Sequence, residues 1–343
     1  MATRTLPTTM RAAQWTTNTG GLDKNIKINA SALLPATASS LKPGQTLVKV
    51  AYSALNPVDY KLPELPLVGN YLLAPGTPAL DYAGTVVTST LEHLKPGEPV
   101  FGKLEPPSFG ALSEYIVVGR EGCVPVPNGV SLRDAATVGV AGLTAWQTLI
   151  AAGAGEGRRL FVNGASGGVG TFTVQFAKAM GCYVVATCSG ANVEFVKEVL
   201  GADEVIDYRT VDVVGHLKRQ GTRFDGVIDN VLASSELYCA CHHFLKEEGK
   251  YITIGGSAQF SDLKDLLSMM FLPQVLGGGQ RPFKFLGVST SAEHYAAIAD
   301  LIKNGKVKPV VEKEFGLQQA GEAYTRLKSG RVRGKLVINV GGV

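Results

Sequence analysis

The residues best suited to do chemistry in this 343-residue chain form one glycine-rich segment, Arg159-Leu-Phe-Val-Asn-Gly-Ala-Ser-Gly-Gly-Val-Gly170. Glycines at every third position let a backbone turn sharply and approach a diphosphate, and a helix that begins there presents free N–H groups and a partial positive charge. The segment therefore predicts a dinucleotide phosphate site. Its contacting residues would be Ser166, Gly167, Gly168 and Val169.

The same residues also match the motif of a second kind of active site. Gly164-Ala-Ser166-Gly-Gly168 also matches G-x-S-x-G, the turn that presents the nucleophilic serine of α/β-hydrolases. Asp229 and His294 follow in the order that such enzymes use. The glycine pattern by itself leaves both a nucleotide site and a hydrolase nucleophile open.

The elements that must hold this loop can be read on either side of it. Phe172, Phe176 and Met180 recur every four residues, which is typical of a helix, and the apolar run 182–188 predicts the next strand. Further strands are predicted at 204–206, 226–229 and 250–254, and further helices at 134–151 and 192–200. This alternation predicts a parallel sheet covered by helices on both faces.

The residues before and after this predicted α/β region follow a different pattern. From residue 10 to about 130, short β-type runs alternate with frequent Pro and Gly, and β texture returns after Val307 with a closing strand at 335–339. We therefore predict two domains. A mainly β domain covers 1–133 plus 308–343, and a nucleotide-binding domain covers 134–307.

Composition excludes several functional classes. The net charge of +4 is small and the basic residues are scattered, which argues against a nucleic-acid or membrane surface. An odd number of cysteines, 5, fits a reducing compartment. The first ten residues lack the apolar core of a signal peptide, and no run reaches the ~20 apolar residues of a membrane span. We expect a cytoplasmic protein whose partner is a small molecule.

Four segments in this order resemble the medium-chain dehydrogenase/reductase superfamily, and within it the zinc-free quinone oxidoreductase and enoyl reductase branch. They are Leu55-Asn-Pro-Val-Asp-Tyr-Lys61, Ala141-Gly-Leu-Thr-Ala-Trp146, Gly164–Gly170 and Arg333-Gly-Lys-Leu-Val-Ile338. The resemblance implies a GroES-like catalytic domain, a Rossmann domain and an NAD(P)H site in the cleft between them. It argues against the hydrolase, because those enzymes place no β module ahead of the serine. Homodimers are common in this branch.

The resemblance also implies that no zinc is bound. Zinc-dependent relatives carry a Cys near the position of Asn56, a Gly-His-Glu around Leu80-Asp-Tyr82 and a four-cysteine loop after Val100, and this chain has none of these. The run Cys239-Ala-Cys241-His-His243 suggests a metal at first sight. On a helix, however, residues two apart point in different directions, so packing cysteines are expected.

The loop after the second predicted strand bears on the choice of cofactor. An NAD-selective fold carries an acid there, ~20 residues past the glycines, to bind the ribose 2′-hydroxyl. Here the strand ends in Thr187-Cys-Ser189-Gly-Ala-Asn192, with no acid before Glu194. By resemblance, Ser189, Asn192 and Tyr208 would surround a 2′-phosphate, so NADPH is favoured over NADH. The basic residue that many relatives carry in this loop is missing.

The remaining site residues follow from the resemblance alone. Asn56 would orient the substrate beside the nicotinamide ribose, and Tyr71 would donate a proton. Further cofactor contacts would come from Asp59, Thr144, Asn230, Gly255, Leu286, Val288 and Lys335. Structural roles stay open for four of these residues: Asn56 as a turn former, Thr144 as a helix-interior residue, Lys335 as a solvated strand end and Tyr71 as a pocket wall.

Without zinc, the expected activity is an NADPH-dependent reduction of a C=C conjugated to a carbonyl, or of a quinone, in which charge spreads into an enolate or hydroquinone. A biosynthetic setting is one option. The alternative is a catalytically silent NADPH-binding sensor or scaffold.

Overall fold

The computed structural model describes residues 6–65, 74–221, 224–232, 234–254, 266–270 and 278–341. The strands are β1 (Thr9–Gln14), β2 (Lys27–Leu33), β3 (Gln45–Ala54), β4 (Asp81–Ser89), β5 (Pro99–Lys103), β6 (Tyr115–Gly119), β7 (Val124–Pro125), β8 (Arg159–Asn163), β9 (Tyr183–Cys188), β10 (Glu204–Asp207), β11 (Phe224–Asp229), β12 (Leu245–Thr253), β13 (Phe283–Phe285), β14 (Val311–Gly316) and β15 (Lys335–Asn339).

The α-helices are α1 (Leu22–Asn25), α2 (Val58–Lys61), α3 (Leu132–Ala135), α4 (Gly139–Ala152), α5 (Gly168–Ala179), α6 (Val213–Gln220), α7 (Glu236–Ala240), α8 (Ala292–Lys303) and α9 (Ala320–Lys328). A further helical segment covers 266–270.

The chain divides into two compact units. The first comprises Met1–Leu143, Thr290–Asn304 and Pro309–Val343, and the second comprises Thr144–Ser289 and Gly305–Lys308. The division differs from the predicted 1–133 and 134–307 boundaries, because 134–143 and 290–304 belong to the first unit. Tyr295 of α8 explains the second difference. Its ring packs edge-on against Phe101 at 5.7 Å and its hydroxyl donates to Gly139 O at 2.9 Å, which ties α8 to the first unit.

The first unit is built on a sheet of seven strands in the order β14-β15-β3-β4-β5-β7, with β6 paired to β3. Its core contains Val48, Val50, Tyr82, Leu336 and Ile338. These residues occur at alternate positions of their strands, so each strand directs one face inward. Antiparallel pairing sets Val337 opposite Ala54, and the same register carries Lys335 to the level of Asn56.

The second unit contains a fully parallel sheet in the order β10-β9-β8-β11-β12-β13. Numbered from β8, this is the 3-2-1-4-5-6 order of the Rossmann fold, whose ligands bind outside the carboxyl ends of the strands. The predicted α/β fold is confirmed, with a doubly wound parallel sheet beside a mainly β unit. The predicted strands at 182–188, 204–206, 226–229 and 250–254 correspond to β9, β10, β11 and β12.

Two predicted helices are interrupted. The stretch 134–151 consists of the end of α3, a 3-10 turn at Ala136–Val138 and α4. The break comes at Gly139, where a Cβ would lie 2.4 Å from Asp81 Oδ1 and the next N–H, of Val140, donates to that same oxygen at 2.7 Å. The stretch 192–200 forms a 3-10 turn at Gly190–Asn192 and a π-turn at Phe195–Val199.

Among the described residues, one helical stretch, Leu132–Ala152, is long and apolar enough to cross a membrane by length and composition. This corrects the expectation that no run reaches the length of a membrane span. In the structure, 78% of the 18-residue apolar part of this stretch is buried, as in the core helix of a folded domain.

Candidate functional site

The glycine turn joins β8 to α5 at the carboxyl edge of the parallel sheet. Gly164 adopts a φ of +77°, and a Cβ on Gly170 would lie 2.2 Å from Gly164 O, so both positions require glycine. Gly167 differs, since its φ is −79° and a Cβ there would have no neighbour nearer than 3.9 Å. Gly167 is also the N-cap of α5 and no side chain caps this end. The turn therefore leaves backbone N–H groups open to a ligand.

Polar side chains at the ends of neighbouring strands hold the turn in place. The N–H of Gly164 donates to Thr187 Oγ1 at 3.0 Å, and the Thr187 hydroxyl donates to Asn163 Oδ1 at 2.6 Å. The Asn163 amide in turn donates to Asp229 Oδ1 at 2.8 Å. This chain of hydrogen bonds links β8, β9 and β11 and fixes the loop before any ligand arrives.

The Asp229 carboxylate is the anchor of that network. It is 1% exposed and also accepts from the Tyr251 hydroxyl at 2.8 Å and from the N–H groups of Val231 and Leu232 at 3.0 and 3.1 Å. Burial, and then the carboxylate beside it, raise the pKa of Tyr251, so the hydroxyl stays protonated as a donor. With these donors engaged, Asp229 serves the loop and is not the acid of a hydrolase triad.

The residues predicted around the 2′ group of the cofactor come together. The Asn192 amide lies 3.2 Å from both Ser166 Oγ and Ser189 Oγ, which connects the glycine turn to the loop after β9. The hydroxyl of Ser166 is therefore hydrogen-bonded to an amide, and not to the imidazole that would activate a catalytic serine. Tyr208 follows β10, its N–H donates to Cys188 O at 3.2 Å and its side chain is 53% exposed.

An acid that the sequence pattern does not predict lies beside the same loop. A Cβ on Gly190 would lie 2.6 Å from Asp207 Oδ2, so this carboxylate lies against the loop after β9. Along the chain, β9 and the residues that follow it carry no acid before Glu194. Because parallel pairing sets Asp207 opposite Cys188, the acid comes from the adjacent strand.

Asn230, a predicted cofactor contact, follows β11 at the same edge. Both polar atoms of its side-chain amide are buried and have no hydrogen-bond partner among the described residues. Leaving such a group unsatisfied costs about 1–3 kcal/mol, so it is suited to bind a ligand. Gly255 and Tyr71 lie outside the described residues, and their roles stay predictions.

Thr144 lies on α4, and Leu286 and Val288 lie on the segment 286–289. Gln147, which the sequence did not predict as a site residue, joins the two by hydrogen bonds. Gln147 donates to Ser289 O at 2.6 Å and accepts from Ser289 N at 3.1 Å, which holds 286–289 beside α4. Gln147 is one helical turn after Thr144, on the same face of α4. Leu286 is further fixed by donating its N–H to Thr253 O at 2.8 Å.

In the first unit, Asn56, Asp59 and Lys335 form a buried cluster with Asp81. The Lys335 ammonium, 2% exposed, donates to Leu55 O at 2.8 Å and to Asn56 Oδ1 at 2.5 Å, and it lies 3.3 Å from Asp81 Oδ2. The N–H of Asn56 donates to Asp59 Oδ2 at 2.7 Å. The alternative of Lys335 as a solvated strand end is therefore contradicted, and its role as a cofactor contact stays a prediction. Asn56 is 3% exposed, with its amide oxygen occupied by the ammonium.

This cluster contains two carboxylates and one ammonium. Burial raises the pKa of Asp81, although Lys335 opposes that effect. Burial and then the nearby Asp81 raise the pKa of Asp59 well above its usual value, although backbone hydrogen bonds from Asn56 and Leu80 oppose the rise. We therefore assign the negative charge to Asp81, as the partner of Lys335, and the neutral form to Asp59.

The run Cys239-Ala-Cys241-His-His243 lies across the end of α7 and a 3-10 turn. Cys239 lies in α7, Cys241 opens a 3-10 turn and is buried, and burial raises its pKa to about 12. Across the part of the chain that the structure describes, no group of three His, Cys, Asp or Glu side chains could hold a metal ion.

A 3-2-1-4-5-6 parallel sheet with a glycine turn at a helix N-terminus defines a dinucleotide-binding protein of Rossmann type. Two family models match this chain: the alcohol dehydrogenase GroES-like domain over residues 42–128, and a model described as zinc-binding dehydrogenase over residues 200–338. The chain belongs to the medium-chain dehydrogenase/reductase superfamily, in the branch of the quinone oxidoreductases and enoyl reductases.

Individual relatives agree with this membership. Trans-enoyl reductase pgmF of Aspergillus terreus is 40% identical over 98% of both chains. The mitochondrial NAD(P)H oxidoreductase RTN4IP1 of Bos taurus is 30% identical over 95% of this chain and 88% of its own. The solved quinone oxidoreductase of Coxiella burnetii superposes with a TM-score of 0.80 at 26% identity, over 96% of this chain and 99% of its own. The chain is an oxidoreductase with a nicotinamide cofactor, and the hydrolase alternative is excluded.

Proposed function

We propose that this protein is an NADPH-dependent, zinc-independent reductase that delivers hydride to a C=C conjugated to a carbonyl, or to a quinone. The 40% identical relative is named a trans-enoyl reductase and the superposed structure a quinone oxidoreductase. The observation that carries the proposal is the open glycine turn of the second unit, and the buried Lys335 ammonium of the first unit supports zinc independence.

The second unit fits the cofactor. The uncapped start of α5 offers N–H groups to a diphosphate, and the space beside Gly167 admits an approaching ligand. The unsatisfied Asn230 amide supplies one donor and one acceptor at the same sheet edge. When bound, NADPH supplies a hydride from C4 of its nicotinamide, and the segment 286–289, held by Gln147, would line that ring.

Zinc independence is supported by what occupies the corresponding positions of the first unit. Asn56 and Asp81 stand where the zinc relatives carry Cys and His, and the Lys335 ammonium lies between them. A divalent ion at that place would meet a buried positive charge and two side chains already engaged. Among described residues, no alternative ligand group exists nearby.

The proposed zinc independence favours one substrate class over another. An alkoxide would need a metal or an equivalent electrophile, whereas an enolate or hydroquinone spreads its charge and needs only a proton donor. Tyr71 remains the candidate donor. The enoyl class ranks first, because the 40% identical relative carries that name.

The test is NADPH oxidation against enones, enoyl thioesters and quinones, with and without a chelator. We expect turnover that survives the chelator and is faster with NADPH than with NADH. Chelator-sensitive turnover would refute zinc independence. Tight NADPH binding without oxidation of any substrate would instead favour the silent sensor or scaffold.

The variant Gly167→Ala tests the cofactor site independently of substrate. Its methyl group makes only an ordinary 3.9 Å contact within the protein, so the fold should keep its thermal midpoint. The same methyl group would project toward the diphosphate. We expect weaker NADPH binding at unchanged stability, and unchanged binding would contradict the placement of the diphosphate.

A further inference from the structure

Asn56 begins a short helical segment of the first unit that includes α2 and continues to Glu64. The N–H of Asp59 donates to Asn56 O at 3.0 Å, and the N–H of Glu64 donates to Tyr60 O at 2.9 Å. Residues 56–64, the α2 segment, are therefore hydrogen-bonded from end to end. A segment of this kind is displaced as a unit, so whatever holds its end also bears on the place of Asn56.

An ammonium from the carboxyl-terminal part of the chain holds each end of the α2 segment. At its start, the Lys335 ammonium donates to Asn56 Oδ1 at 2.5 Å. At its end, the Lys328 ammonium lies 2.5 Å from Glu64 Oε1 and 5.4 Å from the centre of the Tyr60 ring. Lys328 is the last residue of α9, and the sequence did not predict a role for it.

The Lys328 ammonium also binds α1, since it lies 2.5 Å from Asp23 Oδ1. Glu64 Oε1 is shared in turn, because it accepts from the N–H of Leu22 at 2.6 Å. Burial lowers the pKa of Lys328, but its hydrogen bonds to Asp23 and Glu64 outweigh burial and raise it. The ammonium therefore stays charged and joins α9, α1 and the α2 segment at one point.

This cluster is better suited to fix a position than to stabilise the fold. The side chains of Lys328, Asp23 and Glu64 are 23, 10 and 25% exposed, and partly exposed ion pairs add little to folding stability. Charge-assisted hydrogen bonds are nevertheless short and directional. Two of them on a single ammonium hold the end of the α2 segment in one place.

We propose that Lys328 is a positioning residue of the reductase, which fixes the end of the α2 segment and thereby the place of Asn56 beside the substrate. This inference rests on the proposed function, in which Asn56 orients the conjugated substrate. Lys328 then acts through the segment and not on the reacting atoms. Its loss should affect the electrophile and leave NADPH binding in place, because the diphosphate site belongs to the second unit.

Steady-state kinetics with a conjugated enone test the assignment in Glu64→Ala, with Asp23→Ala as the matched control. Each variant removes one carboxylate from the same ammonium. Each also removes one further hydrogen bond, from the N–H of Leu22 or from the hydroxyl of Thr325, so the two truncations are comparable. Of the two, Glu64→Ala alone detaches the α2 segment from Lys328.

The two variants should separate in kinetics. Misplacing a reacting group by 1 Å can cost about 100-fold in rate, so kcat/KM for the enone should fall by about 10- to 100-fold in Glu64→Ala. In Asp23→Ala it should change by less than about 3-fold, and so should the Kd for NADPH in both variants. A cluster with only a structural role would change the thermal midpoint and the kinetics of both variants alike.

Chemical rescue of Lys328→Ala supplies a second, independent readout. Propylammonium replaces the three carbons and the ammonium that this substitution removes, and 1-propanol is the neutral control of the same size. We expect Lys328→Ala to lose kcat/KM for the enone as Glu64→Ala does. Propylammonium should restore part of it, 1-propanol should not, and Lys328→Arg should keep most of it.

Equal losses of kcat/KM in Glu64→Ala and Asp23→Ala, or wild-type kinetics in Lys328→Ala, would overturn the assignment while leaving the reductase activity in place. Rescue by 1-propanol as well would also overturn it, because lost volume and not lost charge would then explain the defect. A wild type that oxidises NADPH with no electrophile would instead refute the proposed function.

Discussion

Replacing Asp81 by asparagine removes the counter-charge of a buried ammonium. Among described residues, Asp81 is the one carboxylate that forms an ion pair with Lys335, whose side chain is 2% exposed. The asparagine can still accept from the N–H of Val140, which now donates to Asp81 Oδ1 at 2.7 Å. The change is therefore confined to charge, and the ammonium keeps only its two neutral acceptors, Leu55 O and Asn56 Oδ1.

The magnitude follows from the geometry. At the observed 3.3 Å separation and an effective dielectric constant of about 20, the Coulomb attraction is roughly 5 kcal/mol. Removing one partner of a buried pair costs about 3–5 kcal/mol in measured cases. Since the Val140 hydrogen bond survives, we expect the lower end, about 3 kcal/mol. For a unit of this size that corresponds to a fall in Tm of roughly 6–12 °C.

Asp59→Asn is the matched control in the same cluster. Because Asp59 is assigned the neutral form, an amide of the same shape removes no charge, and its oxygen can replace Oδ2 as the acceptor for the N–H of Asn56. We expect a loss below about 1 kcal/mol.

The assay uses the chain's two tryptophans. Trp15 lies in the core of the first unit and Trp146 packs on Phe176 in the second. In a Trp146→Phe background, Trp15 fluorescence reports thermal and urea unfolding of the first unit alone. If Asp59→Asn proves as destabilising as Asp81→Asn, or if Asp81→Asn is neutral, the assignment of charge within the cluster is wrong.

Three further outcomes are expected. Gly170→Ala should unfold the glycine turn and lower the thermal midpoint, because its Cβ would meet Gly164 O at 2.2 Å; a midpoint like that of Gly167→Ala would contradict this. Burial raises the pKa of Asp225, but hydrogen bonds from Arg159 N, Lys246 and Arg158 outweigh burial and lower it. The contribution of Asp225 to the free energy of unfolding is therefore full above the unfolded pKa near 3.9, and it is lost as pH falls through the folded pKa. Asp225→Asn should therefore flatten the fall of the urea midpoint between pH 7 and 3, and an unchanged slope would count against it. The pKa of Asp59 is raised, so its effect on stability has the opposite pH dependence: its contribution is present below the unfolded pKa and is lost as pH rises through the folded pKa. Relative to the wild type, Asp59→Asn should therefore become more stable from pH 4 to pH 7. Denaturant titrations at the two pH values measure this difference.

Local sequence was informative wherever a function depends on backbone shape. The three glycines predicted the turn at the sheet edge because only a glycine fits the φ of Gly164 and the close approach at Gly170. Strands β9, β10, β11 and β15 were predicted for a similar reason, since alternation and apolar runs are properties of neighbouring residues. Helix limits were less accurate where a distant side chain intervenes, as Asp81 does at Gly139.

The amino-acid sequence by itself determined the phosphate turn, the α/β alternation and the superfamily, because each depends on residue types at short spacing. It could not determine what each polar side chain contacts. Lys335 and Asn56 are 279 residues apart and meet only through the register of β15 on β3. Asp207 lies against the loop after β9 only because β10 pairs with that strand. Only the tertiary structure decided these partners, since charge, burial and hydrogen bonding depend on proximity in space.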